Sequence, residues 1–571
     1  MASLLRAALA TLVTPPPPLV DLLRFLRFRG RGLVVVDLGA PTWRRPGGQQ
    51  RLLQALTWLR DDPMIRAVRI ELDGARGSWA ALQSVHAGLR RLVDAGKPVY
   101  AQLRSGGNAE LFLASAATRV FMFPVGELHA AGLATRMIFL GDALARLGVE
   151  VELFTAGAFK SAGEPLTRSC PSAENRQAMQ SLLDDLQDQL VQAIATGRGL
   201  EAGLVRQALA EAPLSAERAV ELGLVDELAY DDQIGARIEA LLDFEPRTSS
   251  ASGWWRLLRI RNLWHRVAGA GTPVAVVRLA GPVVDRGPEG GGREVIAADR
   301  VVPLLDSLRD SDAVRGVLIT VDSGGGSVLA SERIWRAVQR LQEAKPVVAL
   351  FQGVAASGGY YLAAPARSIY VQPGTITGSI GVIGARIMPG RVLERLGIHG
   401  ATLRTAPSAD LPLGSRAMTA PERRRMEASI ARYYKLFLRR VSGGRRLPVR
   451  LVEPHAQGRV WSGRAAKEHG LVDRLGTFDD ALRRVYEHLS LRPGRWVLPR
   501  WDLSNAAQSP ARRVLQALMA DASVGDPTIA TLRKLVETLR IPAVLEALLA
   551  SSVGPVAQPL ALMEWEPPES G

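Results

Sequence analysis

The sequence predicts an α/β protein made of two tandem copies of one domain, each a parallel β-sheet covered by helices, with helical extensions. Three observations predict it. The chain has 571 residues, too long for a single core. Short, near-continuous apolar runs alternate with amphipathic helical patterns, as expected of parallel strands buried on both faces. The chain also matches itself. IRAVRIELD (65–73) resembles VRGVLITVD (314–322), KPVYA (97–101) resembles KPVVA (345–349), and LASAA (113–117) resembles LAAPA (362–366). RLGV (146–149) matches RLGI (395–398), and GLVDEL (223–228) matches GLVDRL (470–475). The offset stays close to 249 residues and slips by two at the end. Ordered matches at one spacing mark a duplication.

Each copy follows one plan. An apolar run (33–38; 274–279) precedes an amphipathic helix (50–61; 300–310), then a buried strand (66–72; 315–321). A turn and a long helix follow (78–95; 327–344), then a second buried strand (98–103; 346–351) and a glycine-bearing turn that opens a short helix. A helical stretch, clearest at 172–195, closes the copy. The resulting domains are an apolar and basic N-terminal segment (1–29), the first repeat (30–243), a linker (244–272), the second repeat (273–490) and a C-terminal extension (491–571).

Composition excludes several functions. A single cysteine, Cys170, rules out an internal disulfide and any cysteine-built metal site. The seven histidines show no metal-ligand spacing, and no phosphate loop is present, so no cofactor is expected. The net charge of +15 points to an anionic partner, but nucleic-acid signatures are missing, which favours a membrane surface. No run of about 20 uncharged apolar residues forms a transmembrane helix. Residues 1–29, broken by Arg6 and Pro15 to Pro18, read either as a frayed terminus or as a membrane-surface anchor. The stretch 254–267 places Ile260, Leu263, Trp264 and Val267 on one face of a basic helix. It suits a membrane interface, or docking on a domain or subunit.

The chemistry lies in two half-sites. Ser357 stands in VAASGGYY (354–361), and its counterpart in the first copy is Asn108. A serine hydroxyl needs a base to act as a nucleophile. No histidine lies in the matched segments, although His399 follows one. Lys160, in TAGAFKSAGEP, has Ala409 as its counterpart, so one copy retains the hydroxyl and the other the amine. That complementarity suggests one composite site, provided that burial depresses the lysine pKa. The Gly358 N–H, at a helix start, suits an oxyanion, and VDSGGGSV (321–328) offers a backbone ledge for a second donor.

DSGGGSV, AASGGYYLAAPA and TGSIGVIG in the second copy, with AGAFKSAGEP in the first, resemble the long, tandem-domain form of the protease IV family. This is the signal peptide peptidase A type, serine peptidase family S49, within the ClpP/crotonase-like superfamily. The resemblance spans residues 30–490. It implies a Ser–Lys dyad endopeptidase acting on cleaved signal peptides at the bacterial inner membrane, assembled as a homotetramer. It also implies roles: Ser357 as nucleophile, Lys160 as general base, Gly358 and Gly325 as oxyanion N–H donors, and Ser379 as the group orienting Lys160. The family's ledge usually reads SPGGS, whereas Gly324 replaces the proline here. The alternatives are a crotonase-like acyl-CoA enzyme and an inactive peptide-binding scaffold.

Overall fold

The computed structural model describes residues 17–40, 48–254, 273–288, 294–388, 392, 397, 399–414, 416–491 and 500–501. The first repeat begins with α1 (Pro17–Phe28), β1 (Gly32–Asp37), α2 (Gly48–Asp61), β2 (Ile65–Glu71) and α3 (Trp79–Asp94). It continues with β3 (Val99–Leu103), α4 (Asn108–Ala114), β4 (Arg119–Met122), β5 (Glu150–Ala156), α5 (Ala173–Arg198), β6 (Glu227–Leu228) and β7 (Arg247–Ser250). Six strands form one sheet in the order β6-β4-β3-β2-β1-β7, every pairing parallel. All five residues of β3 are buried, as a strand covered on both faces requires.

The second repeat repeats the plan. It contains β8 (Val274–Ala280), α6 (Ala298–Asp310), β9 (Gly316–Ser323), α7 (Val328–Ala344), β10 (Val347–Ala356) and α8 (Gly358–Ala363). It ends with β11 (Ser368–Val371), β12 (Ile376–Gly378), β13 (Val382–Met388), α9 (Ala420–Arg445), β14 (Val460–Ser462), β15 (Arg474–Leu475), α10 (Phe478–His488) and β16 (Arg500–Trp501). The main path of this eight-stranded sheet is β14-β12-β10-β9-β8-β16, with β11 pairing β10 and β15. The fold class read from the sequence is therefore the one observed. One strand departs from it: β14 runs antiparallel to β12.

Strand β10 is longer than the apolar run 346–351 implies. Its first half pairs with β11 and its second half with β12, so the sheet continues up to the residue before Ser357. The run EPRTSS, read as linker, contributes edge strand β7, whose Thr248 lies opposite Leu33 of β1. A polar sequence is accommodated there because an edge strand is only partly covered. Beyond it Trp254 is fully buried, and its indole N–H donates to Asp62 Oδ2 at 2.9 Å. Asp62 also pairs with Arg24 of α1, and both partners are buried. Helix α1 is thus docked through Arg24 and Phe28, while Leu22, Phe25 and Leu26 stay about half exposed. Residues 1–16, the helical pattern beyond Trp254 and nearly all of the C-terminal extension lie outside the described residues.

The repeats are joined by a feature that no periodicity announces. Strand β5 of the first copy pairs antiparallel with β13 of the second, from Glu150↔Met388 to Ala156↔Val382. Helix α5 adds polar ties: Gln189 donates to the Pro373 carbonyl at 3.2 Å and Asp185 pairs with Arg464. Arg91 of α3 reaches Asp480 of α10 at 2.5 Å. Among the described residues no helix is long and apolar enough to cross a membrane.

Candidate active site

Ser357 is the single residue between β10 and α8. Its backbone sits at φ 53°, ψ −121°, a conformation that L-residues rarely adopt. Such strain costs about 1–3 kcal/mol and persists only where the surroundings enforce it. Here the Ser357 N–H donates to the Gly378 carbonyl at 2.9 Å, and the Ser357 carbonyl accepts from the Tyr361 N–H at 2.9 Å. Gly358 and Gly359 let the helix start press onto its neighbours. A Cβ at Gly358 would lie 2.6 Å from Ser331 Oγ, and one at Gly359 would lie 2.4 Å from the Ser323 carbonyl. The hydroxyl is thereby presented on a sharp strand-to-helix turn.

Lys160 follows β5, so the β5–β13 pairing carries it across into the second repeat. The side chain is buried, at 6% exposure. Its Nζ lies 3.1 Å from Ser357 Oγ, 2.9 Å from Ser379 Oγ and 2.9 Å from the Ser379 carbonyl. Burial pushes the ammonium pKa down from 10.5 to about 8, and no charged neighbour contributes to the shift. A neutral amine has two N–H donors and one lone pair. Ser379 supplies two acceptors, which leaves the lone pair for the Ser357 hydroxyl. Ser379 is itself held at φ 48° and donates its N–H to the Arg459 carbonyl at 2.7 Å.

Gly458 completes the lysine's seat and was not singled out in the sequence. It has φ +78°, its N–H donates to the Ile380 carbonyl, and a Cβ there would come within 2.6 Å of Lys160 Cβ. Arg459 lies over the rings of Phe159, at 5.1 Å, and Trp461, at 4.2 Å, closing the same side. The only signal for this lysine-binding turn is the glycine in QGRV, indistinguishable from an ordinary turn glycine.

The glycine ledge lies beside the serine. An added Cβ on Gly325 would be 2.6 Å from the Gly358 nitrogen and 3.0 Å from Ser357 Cβ. The Gly325 N–H, however, donates to Ser323 Oγ at 3.1 Å. The Gly325 carbonyl accepts from Val283, and the Ser327 N–H donates to the Val283 carbonyl. In such a parallel bridge the intervening N–H, that of Gly326, points to the opposite side. It has no protein acceptor among the described residues, and its nitrogen lies 3.1 Å from where a Cβ of Gly358 would stand.

The degenerate positions have become structural. Asn108 donates to the Gly132 carbonyl at 2.7 Å and accepts from the Gly132 N–H at 3.1 Å. Ser105 accepts from the Glu127 N–H. Ala409 lies in a loop tied down by Arg416 between Asp410 and Glu422, and His399 is exposed. The carboxylate next to the ledge, Asp322, accepts from the Val354 N–H at 2.9 Å and lines a separate cavity of about 530 Å³ between the repeats. Among the described residues no group of three or more His, Cys, Asp or Glu side chains is arranged to hold a metal ion.

Comparison with known proteins adds a family. The chloroplastic serine protease SPPA of Arabidopsis thaliana is 29% identical over 425 residues, covering 74% of this chain and 63% of that protein. Protease 4 of Salmonella typhi is 29% identical over 458 residues, covering 78% of this chain and 72% of its own. Protease 4 of Haemophilus influenzae is 27% identical over 454 residues, covering 77% and 72%. The model of peptidase family S49 matches twice, at residues 91–245 and 339–492, once in each repeat, and the chain belongs to that family.

Proposed function

We propose that the chain is a serine endopeptidase in which Ser357 is the nucleophile and Lys160 the general base. The observation that carries this reading is the buried Lys160 amine 3.1 Å from Ser357 Oγ. Neutral Lys160 takes the hydroxyl proton as Ser357 Oγ bonds to the substrate carbonyl carbon. The tetrahedral oxyanion rests on two backbone N–H groups. Gly358 supplies one, as first residue of α8, where the N–H has no partner within its helix. The ledge supplies the other, and we assign it to Gly326, because the Gly325 N–H is committed to Ser323. When the scissile C–N bond breaks, the Lys160 ammonium gives its proton to the leaving amine. Water then attacks the acyl-enzyme, Lys160 accepts a water proton, and collapse returns it to Ser357 Oγ. The net reaction is peptide plus water to carboxylic acid and amine.

The substrates proposed are short, apolar, extended peptides, including cleaved signal peptides. The site of action proposed is the bacterial inner-membrane surface, with a homotetramer as the working form. The half-exposed apolar residues of α1 support contact with a lipid surface. The acyl-CoA reading calls for a free carboxylate at the ledge, and Asp322 is turned to Val354 instead. The test is hydrolysis of an internally quenched apolar peptide by wild type and by Ser357→Ala. Turnover by wild type and none by the variant is expected. Equal turnover by both rejects the dyad, and acyl-CoA turnover without peptide cleavage favours the alternative.

A further inference from the structure

Three consecutive glycines, 324–326, make up the ledge, and they are the least constrained backbone on which the proposed chemistry depends. Gly325 stands at φ +102° and Gly326 at φ +157°. Each glycine brings more unfolded-state freedom than any other residue, so the ledge needs an external hold if its N–H is to stay aimed. We propose that the Ser323 hydroxyl is that hold. By accepting the Gly325 N–H it fixes the plane of the 324–325 peptide, while the Val283 N–H fixes the 325–326 peptide through the Gly325 carbonyl; the two together set φ and ψ at Gly325 and so hold the Gly326 N–H at the oxyanion position. This rests on the peptidase reading above and makes Ser323 a positioning residue rather than a catalytic one.

The surroundings of Ser323 suit the task. It is the last residue of β9, 3% exposed, and pairs, after a register shift past Val321, with Ala355, two residues before the nucleophile. Its carbonyl abuts Gly359 of α8, so serine, ledge and nucleophile turn share one rigid platform. Among the described residues its hydroxyl makes no hydrogen bond other than the one at 3.1 Å to Gly325. Val283 grips the 325–326 peptide through the Gly325 carbonyl and the 326–327 peptide through the Ser327 N–H, and leaves the 324–325 peptide to Ser323. Removing the hydroxyl therefore frees the 324–325 peptide and with it φ of Gly325, so that the Gly326 N–H can shift relative to Ser357 while Val283 keeps the ledge attached.

Gly324 offers an independent way to restore the hold. Its φ is negative, a Cβ there meets nothing within 4 Å, and its N–H has no protein acceptor among the described residues. Proline is thus sterically admissible; it would fix φ near −65° and keep Ser323 extended. The experiment compares wild type, Ser323→Ala and Ser323→Ala/Gly324→Pro in the full chain. It reads kcat and KM for a quenched apolar peptide and hydrogen–deuterium exchange over residues 321–328. Losing a whole oxyanion donor costs about 10²–10³ in kcat, so misaiming one should cost about tenfold, with KM unchanged. Exchange across the ledge should quicken in Ser323→Ala, and both readouts should move back toward wild type in the double variant. Unchanged kcat and exchange in Ser323→Ala, or a loss that Gly324→Pro does not recover, overturns the inference. The exchange arm reads the hold without any turnover. A wild-type chain that cleaves nothing yet whose ledge loosens in Ser323→Ala would sink the peptidase reading and keep the Ser323 hold. A chain that cleaves peptides with a ledge indifferent to Ser323 would do the reverse.

Discussion

The role proposed for Lys160, that of general base, predicts a pH dependence whose size follows from its burial. Desolvation lowers the pKa from 10.5 to about 8. At the ordinary value only about 0.03% of the amine is neutral at pH 7; at the lowered value about 9% is neutral, roughly 300-fold more base. Raising the pH from 6 to 7 should therefore increase kcat/KM about ninefold, since kcat/KM reports the free enzyme. From pH 7 to 8 the gain should be about fivefold, and from 8 to 9 less than twofold. The assay is initial-rate cleavage of a quenched apolar peptide between pH 6 and 10 at fixed ionic strength. The same burial appears in stability. The folded chain binds fewer protons than the unfolded chain between pH 8 and 10.5, so stability rises through that window, and the full penalty applies below it. The penalty is about 3 kcal/mol. Lys160→Met cannot charge and should raise the urea midpoint at pH 7, less an offset from the two Ser379 acceptors it orphans, with the gap closing toward pH 10. A rate already flat at pH 6, or an inflection near pH 10.5, would refute this account of the base.

The other predictions concern the dyad, its seat and the fold. Ser357→Ala and Lys160→Ala should each lower kcat by at least about 10³, and the double variant should be no worse than either, because the two act as one unit; additive losses would contradict this. Gly458→Ala places a Cβ 2.6 Å from Lys160 Cβ at φ +78°, and should cost about 1–3 kcal/mol in denaturation along with most of the activity. Asp62→Ala leaves the buried Arg24 guanidinium without that carboxylate and removes the acceptor of Trp254. It should cost about 3–5 kcal/mol by urea denaturation while leaving KM unchanged.

The duplication was legible because both copies retain the same buried strands and helix starts, which one offset aligns. The half-sites were legible by contrast, since only comparison with Asn108 and Ala409 gives Ser357 and Lys160 their meaning. That they form one composite site followed from their complementarity; the route by which they meet was not legible. It depends on β5 crossing to pair with β13, and neither strand carries a mark of its partner, because the pairing is made by backbone groups that every residue has. The seat of the lysine was hidden for a related reason. Gly458 matters only because the chain passes against Lys160 there, almost 300 residues later. The glycine run 324–326 was legible as a turn, and the structure sets it beside Ser357, but which of its N–H groups faces the serine depends on the hydrogen bonds of Val283 and Ser323, which spacing does not reveal. The polar run 247–250 read as linker because an edge strand needs no apolar alternation.

The central claim is that an amine from the first repeat activates a hydroxyl in the second. The most direct measurement is the rate and site of covalent labelling by a serine-reactive fluorophosphonate, mapped by mass spectrometry in wild type and in Lys160→Met. The account predicts a single adduct on Ser357 whose rate rises with pH through about 8, and no appreciable adduct in Lys160→Met. Labelling of Ser357 at the same rate in the folded variant would contradict it.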